Sequence, residues 1–133
     1  MKGTEFLLLL IGNLDTTEGE ARLQKLTYLA KTEYGCELPF EFTWSHYGPF
    51  SGEIQNYLKE MESAGLVKKA EYIMLTKKGK EEFSKMRKIF PSENECIGNL
   101  VERFGHKRIH DVLSYIYGRY MKLEEDSRVS NIS

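Results

Sequence analysis

One segment, Gly65 to Phe83 (GLVKKAEYIMLTKKGKEEF), constrains the fold of this 133-residue chain more than any other. Leu66–Val67 can begin one strand and residues 72–75 a second, so residues 68–71 are predicted to form a short hairpin connection. Thr76 is then predicted to cap a further helix. Helix, Gly-Leu-Val step, hairpin and helix, in this order, are the linear arrangement of a winged-helix unit.

Two helices are predicted before the middle of the chain. Residues Thr4–Asn13 are apolar nearly all round, which predicts a short helix buried on most sides. The second helix has three candidate caps, Asp15, Thr16 or Thr17, and Gly35 is its natural stop. Its apolar residues recur at helical spacing, so we expect an amphipathic helix with one face towards the core.

The next segment predicts a strand followed by a helix. Residues 40–45 alternate aromatic and polar side chains, the pattern of a half-buried strand, and Gly48–Pro49 is expected to end it. Ser51 is predicted to cap the helix that follows, which runs to Ala64. Whether residues 48–51 form an extra short helix stays open from the sequence.

Two more helices are predicted after Pro91. Their apolar stripes cover residues 96–104 and 109–120, and the second stripe can either pack on the core or pair with a second subunit in a homodimer. The fold class expected is α+β, mainly helical, with a winged-helix-like centre. The predicted parts are a single domain over residues 1–123, a core over 18–90, a helical extension over 92–123 and a disordered tail over 124–133.

Composition and motifs exclude several classes of protein. The apolar run at Phe6–Gly12 is far below the roughly 20 residues that a membrane-spanning helix needs. With no signal peptide predicted either, the expected compartment is the cytoplasm. Cys36 and Cys96 predict neither a disulfide framework nor a zinc site. No catalytic motif is present, so we expect no enzyme activity, no cofactor and no metal.

Three motifs carry a resemblance to a known family. They are LQKLTYLA at residues 23–30, WSHYGPFSGEIQNYLKEM at residues 44–61 and GLV at residues 65–67. In this order they resemble the Panacea antitoxin-domain family, over about a third of the chain. The resemblance implies a compact helical domain with winged-helix character that binds and neutralises a partner toxin. Residues 65–79 separately resemble winged-helix transcription regulators.

Charge is distributed unevenly along the chain. Residues 1–67 carry five basic and ten acidic side chains, whereas residues 68–88 carry eight basic and three acidic ones. A basic hairpin and helix can follow a phosphate backbone. The lead hypothesis is therefore a non-enzymatic regulator that binds double-stranded DNA. The residues predicted to contact DNA are Gln55, Asn56, Lys59, Lys68, Lys69, Lys77, Lys78 and Lys80.

The alternative hypothesis is a protein-binding module that does not contact DNA. The helix that would enter the DNA groove is acidic, with Glu53, Glu60 and Glu62 against Lys59 alone. A Gly-Pro corner also stands where regulators place a bracing helix. The residues predicted to contact a protein partner such as a toxin are His46, Tyr47, Ser51, Gln55 and Lys59.

Overall fold

The computed structural model describes residues 1–121, and this part of the chain has the expected mainly helical α+β architecture. The helices are α1 (Gly3–Leu14), α2 (Glu20–Thr32), α3 (Gly52–Ser63), α4 (Lys77–Ile89), α5 (Pro91–Leu100) and α6 (Ile109–Ile116). The strands are β1 (Thr16–Thr17), β2 (Thr43–Ser45), β3 (Gly48–Phe50), β4 (Val67–Lys69) and β5 (Ile73–Leu75). Single π-helical segments continue α5 over Val101–Gly105 and α6 over Tyr117–Met121. The tail predicted at residues 124–133 lies outside the described residues.

Helix α1 is buried, as its sequence predicts. Its side chains from Phe6 to Ile11 are at most 4% exposed, and the helix contacts α3, α4 and α5. A helix that is apolar on all sides is stable only when other elements cover all of them. The surrounding helices and the sheet therefore assemble around α1. No helix within residues 1–121 combines the length and the apolar character that crossing a bilayer requires.

The hairpin predicted after Gly65 forms, with a shorter connection than expected. Lys68 and Lys69 belong to strand β4, and only residues 70–72 make the turn, which is closed by a hydrogen bond from the Ala70 amide to the Tyr72 carbonyl (3.1 Å). The prediction that residues 68–71 form the connection is therefore wrong at its first two positions. The side chain of Lys68 projects from a strand and is exposed.

A third strand completes the sheet and was not predicted. Thr16 and Thr17 were expected to cap α2, but they form β1, which pairs antiparallel with Met74 and Ile73. Strand β5 therefore lies between β1 and β4, and Gly19 occupies the N-cap of α2. A two-residue strand has no periodicity of its own, and only its partner in β5 defines it.

The aromatic segment before α3 folds as a second hairpin. Only Thr43–Ser45 of the predicted strand is paired, and its partner is Gly48–Phe50. The prediction that Gly48 and Pro49 end the strand segment is wrong, because the chain reverses at His46–Tyr47 and returns as β3. Gly48 has φ 89°, which favours glycine. Pro49 is tolerated because both strands of a two-stranded sheet are edge strands, where a missing backbone N–H breaks no ladder.

Helix α2 is more deeply buried than an amphipathic helix. Every side chain from Arg22 to Ala30 is buried, because strand β3 and helices α5 and α6 also pack against α2. Val112 and Ile116 of α6 are fully buried. Of the two alternatives for the last helix, packing on the core is therefore observed. A homodimer through this helix stays a prediction.

Candidate nucleic-acid interface

The residues Gly65, Thr76 and Gly79 join the end of α3 to the start of α4. The Thr76 hydroxyl donates a hydrogen bond to the Gly65 carbonyl (2.5 Å) and accepts one from the Gly79 amide (3.0 Å). The Thr76 amide donates to the Leu66 carbonyl (3.0 Å). The predicted cap at Thr76 is confirmed. The Gly-Leu-Val segment before the hairpin and the Leu-Thr segment after it are therefore hydrogen-bonded to each other.

A lysine completes this junction on its outer side. Lys78 Nζ donates to the Ala64 carbonyl at the C-terminus of α3 (3.0 Å). A cation near the last carbonyls of a helix is favourable because those groups carry partial negative charge. These bonds join the end of α3, the base of the β4–β5 hairpin and the first turn of α4, and the exposed residues of these elements are called the cationic surface below.

The cations of this surface differ in what they are paired with. Lys69 Nζ lies 2.7 Å from Glu20 Oε1, Lys85 Nζ lies 3.1 Å from Glu82 Oε1, and the Arg87 guanidinium lies 5.4 Å from the centre of the Phe83 ring. Within the described part of the chain, the other exposed lysines of α3, the β4–β5 hairpin and α4 make no ion pair. These lysines are Lys59, Lys68, Lys77, Lys78, Lys80 and Lys88.

The first turn of α4 adds the positive end of a helix dipole to these charges. It contains no acidic residue, and Lys77 and Lys80 lie exposed within it or beside it. Helix N-termini attract phosphate groups because their amides point outward and their dipole is positive there. The electrostatic conditions for binding an anionic backbone therefore meet at the hairpin and at the start of α4.

The outer face of α3 is less acidic than its sequence indicates. Glu53 Oε2 accepts a hydrogen bond from the Glu41 amide (2.8 Å), so this carboxylate is directed at the loop before β2. Asn56 and Lys59 are exposed, and Gln55 is half-buried. Glu60 and Glu62, however, are exposed on the same helix. Of the residues of α3 predicted to contact DNA, Asn56 and Lys59 are therefore exposed to solvent.

The predicted protein-binding segment is held in place by a glutamine of α2. Gln24 Nε2 donates to the Ser51 carbonyl, and Gln24 Oε1 accepts from the Ser51 amide, both at 2.8 Å. Ser51 is the N-cap residue of α3, but its hydroxyl makes no capping bond, which corrects the predicted role. Since Ser51 is only 1% exposed, it does not lie on a surface that a partner can contact.

A neighbouring lysine binds the same segment. Lys25 is 4% exposed, and its Nζ donates to the Pro49 carbonyl (2.8 Å). Burial lowers the pKa of this ammonium, because an apolar environment disfavours its charged form. The Gln-Lys pair of the LQKLTYLA motif thus positions the Gly-Pro-Phe-Ser segment.

The turn of the β2–β3 hairpin is the exposed part of that segment. Tyr47 is 78% exposed, and His46 beside it is also exposed. The His46 carbonyl accepts a hydrogen bond from the Tyr117 hydroxyl (3.0 Å), and the Trp44 and Tyr117 rings lie 5.8 Å apart. The C-terminal helical segment therefore braces this hairpin, and two of the predicted protein-contacting residues are accessible on it.

A carboxylate at the end of α2 joins this helix to the C-terminal segments. Glu33 accepts hydrogen bonds from the hydroxyls of Tyr115 and Tyr120. It also lies 3.1 Å from Arg119 Nε and 3.7 Å from Arg103 Nη1. Burial raises the pKa of Glu33, but the two tyrosine hydrogen bonds and the two arginines outweigh burial and lower it from 4.5. Glu33 is therefore ionised and fully partnered at neutral pH.

Replacing Glu33 by Gln is expected to lower the free energy of unfolding by about 2 kcal/mol at pH 7, because charge-assisted hydrogen bonds are lost. A lowered pKa in the folded state stabilises the fold above the ordinary pKa of 4.5. That contribution disappears as the pH falls through the lowered value. The difference between wild type and Glu33→Gln should therefore shrink in acid. Urea unfolding at pH 7 and pH 3 measures both effects.

The exposed Glu37 supplies a matched control for this prediction. Glu37→Gln removes the same charge close to Glu33 in sequence, without removing a hydrogen bond that the described structure shows. We expect its stability to stay within about 0.5 kcal/mol of wild type, as for most surface substitutions. Equal losses in the two variants would contradict a specific role for Glu33.

Sequence patterns did not identify the polar anchors of α2. Gln24, Lys25 and Glu33 stand in or beside a helix that reads as ordinary and amphipathic. No sequence signal marks them, because polar residues between Leu23 and Leu26 are typical of the solvated side of an amphipathic helix. No cluster of three or more His, Cys, Asp or Glu residues suited to a metal occurs among residues 1–121.

Comparison with family models, with curated proteins and with solved structures finds no match for this chain. The functional assignment therefore depends on the geometry of the two surfaces. One surface is cationic and lies on the β4–β5 hairpin and the start of α4. The other is the turn of the β2–β3 hairpin. The resemblance to the Panacea family stays a hypothesis based on the motifs.

Proposed function

We propose that this protein is a winged-helix-like regulator that binds double-stranded DNA through the β4–β5 hairpin and the start of α4. Three features of the fold support the proposal. A helix, α3, leads directly into the hairpin, the hairpin belongs to a three-stranded sheet with β1, and a capped helix follows. In winged-helix proteins the hairpin is the wing, and the helix before it lies against the major groove.

The observation that carries the proposal is that exposed lysines without an ion pair lie on the hairpin and on the start of α4, two elements that are joined by hydrogen bonds. Lys68 on the hairpin and Lys77 and Lys80 at the start of α4 are all exposed. The Thr76–Gly79 junction fixes the backbone of the hairpin base relative to α4, so the backbone positions from which these lysines project are fixed. Lysines on a fixed backbone bind phosphates with less loss of backbone entropy than lysines on a mobile loop.

In this proposal α3 adds contacts to the bases, and the lysines supply most of the affinity. Asn56 can make hydrogen bonds to adenine edges, and Lys59 can contact guanine or a phosphate. Glu60 lies one residue from Lys59 on the exposed face and opposes a close approach to phosphates. We therefore expect binding that depends mainly on phosphate contacts and discriminates weakly between sequences.

The test is a titration of the protein with mixed-sequence duplex DNA at several salt concentrations. The double variant Lys68→Ala, Lys80→Ala is expected to weaken binding and to reduce the slope of log K against log salt by about 2, since each lost phosphate contact contributes about 1. Asn56→Ala should leave this slope unchanged. Fluorescence anisotropy with a labelled duplex measures both quantities.

Lys2 and Lys107 provide a control with the same change in net charge. Both are exposed and lie outside the cationic surface. The double variant Lys2→Ala, Lys107→Ala should retain the wild-type slope. If the two double variants lose affinity equally, binding reflects overall charge and not this surface. If the wild-type protein does not bind DNA even at low salt, the proposal is wrong.

A second candidate function, protein binding at the β2–β3 hairpin, is favoured by the exposure of Tyr47. Tyrosine is enriched at protein interfaces because it combines a large apolar ring with a hydroxyl group. In the Panacea-like case the partner is a toxin, and Tyr47 together with His46 and Lys59 contacts it. This function requires that the double variant Lys68→Ala, Lys80→Ala keeps its partner, whereas Tyr47→Ala loses it.

A further inference from the structure

Two thiols that are 60 residues apart in sequence meet beside the end of α2. Cys36 follows Gly35 in the loop after α2, and Cys96 lies in α5, with the two Sγ atoms 3.9 Å apart. Both side chains are half-buried, and both line a surface cavity of about 430 Å³. Neither proposed binding surface includes them.

We propose that Cys36 and Cys96 form a reversible intramolecular disulfide beside this cavity. The disulfide is a redox-sensitive lock, because it links α5 covalently to the loop after α2. A disulfide requires the two sulfurs to approach to about 2.05 Å. Gly35 can supply the backbone adjustment, because it has φ 67° and a Cβ at this position would meet no atom within 4 Å. The Cys36 amide donates to the Ala30 carbonyl (3.0 Å), so the approach of the two sulfurs is assigned to rotation of the cysteine side chains together with adjustment at Gly35.

The oxidant that fits this site is a low-molecular-weight disulfide, which can enter the open cavity. Burial, followed by the charge of Cys96, raises the pKa of the Cys36 thiol to about 12, so Cys36 is protonated at neutral pH. Both thiols line the cavity, and we assign the first attack to Cys96 because burial disfavours the thiolate of Cys36. The Cys96 thiolate forms a bond to one sulfur of the oxidant and releases the other sulfur as a thiolate.

The second step closes the protein disulfide. Once Cys96 is in the mixed disulfide, it no longer carries the charge that raises the pKa of Cys36. Cys36 loses its proton to water and attacks the Cys96 sulfur, and the second thiolate of the oxidant leaves and takes up a proton. The protein loses two protons and two electrons, which together are two hydrogen atoms, and the oxidant becomes two thiols.

This lock restrains the segment that leads into the β2–β3 hairpin. Residues 33–42 connect α2 to β2. In the reduced state this segment is held by hydrogen bonds from the Glu41 amide to Glu53 Oε2 and from Lys31 Nζ to the Phe40 carbonyl. A covalent bond at Cys36 also closes a chain loop of about sixty residues, which restricts the unfolded chain. Oxidation should therefore stabilise the folded protein, whether or not it binds DNA.

The test uses the full chain, reduced with dithiothreitol and then incubated with oxidised glutathione. Intact mass should show the loss of two hydrogen atoms with no retained glutathione, and non-reducing peptide mapping should identify the Cys36–Cys96 link. We expect the Tm to rise by about 5–15 °C, because a disulfide closing a loop of this size typically adds several kilocalories per mole. Dithiothreitol should reverse the rise.

Two variants test the assignment of the steps. Cys36→Ser should retain one glutathione at Cys96, and Cys96→Ser should react at least about tenfold more slowly, since burial still disfavours the thiolate of its remaining cysteine, Cys36. Neither variant should show the rise in Tm. Wild-type protein that retains glutathione without closing the disulfide, or that links two chains instead, would overturn the proposal.

Discussion

Gly79→Ala is expected to lower the free energy of unfolding by roughly 3 kcal/mol, a large fraction of the stability of a domain of this size. A Cβ atom at this position would lie 2.0 Å from the Leu66 carbonyl oxygen, which belongs to the backbone. That carbonyl also accepts the Thr76 amide, so it cannot move away without breaking the junction of α3 and α4. Urea unfolding followed by circular dichroism measures the loss.

Gly118 is a matched control, because it also lies in a helical segment and a Cβ there would meet no atom within 4 Å. Gly118→Ala should be neutral or stabilising by up to about 1 kcal/mol, since alanine restricts the unfolded chain. If Gly79→Ala proves equally harmless, the close contact with Leu66 does not exist in the folded protein. DNA binding by Gly79→Ala should be measured below its unfolding temperature, because unfolded protein does not report on the interface.

Gln24→Ala is expected to destabilise the fold by about 3 kcal/mol, because it leaves both the amide and the carbonyl of buried Ser51 without their partner. An unpaired buried polar group loses its water without gaining a hydrogen bond in return. The effect should be largest where α3 begins, and amide hydrogen exchange of residues 51–54 should accelerate. Thermal unfolding and hydrogen exchange together measure the size and the place of the change.

The adjacent residue provides the comparison for this prediction. Lys25→Met removes one hydrogen bond to Pro49 but also removes a buried charge, and the two effects oppose one another. We therefore expect a change of at most about 1 kcal/mol. Equal destabilisation by Gln24→Ala and Lys25→Met would indicate that packing, and not the paired amide, determines the stability of this corner.

The sequence predicts the helices of this fold well, because their apolar residues repeat at helical spacing. The buried helix α1, the capped helix α4 and the hairpin between α3 and α4 are confirmed. Strands β1 and β3 were not predicted, since strands of two or three residues carry no periodicity and are defined by their partners. Thr16–Thr17 is a strand only because Ile73 and Met74 lie beside it.

The same distinction holds for the candidate sites. Counting charges locates the lysines of residues 68–88, but it cannot show that Lys69 is paired with Glu20, a residue 49 positions away. Likewise, the acidic character of α3 is read directly from its sequence, whereas the orientation of Glu53 towards the Glu41 amide depends on the fold. Residue type was predictable, and pairing across the fold was not.

The hydrogen bonds that α2 makes to later segments have a consequence for how this sequence can vary. Arg22, Lys25 and Lys31 each donate to a backbone carbonyl, at Gly105, Pro49 and Phe40 respectively. A carbonyl oxygen is common to all residue types, so these bonds place no demand on the side chains of the receiving positions. Substitution is therefore expected to be asymmetric, with the donors of α2 constrained and their acceptors tolerant. A short motif in one helix can then persist while the segments it organises diverge.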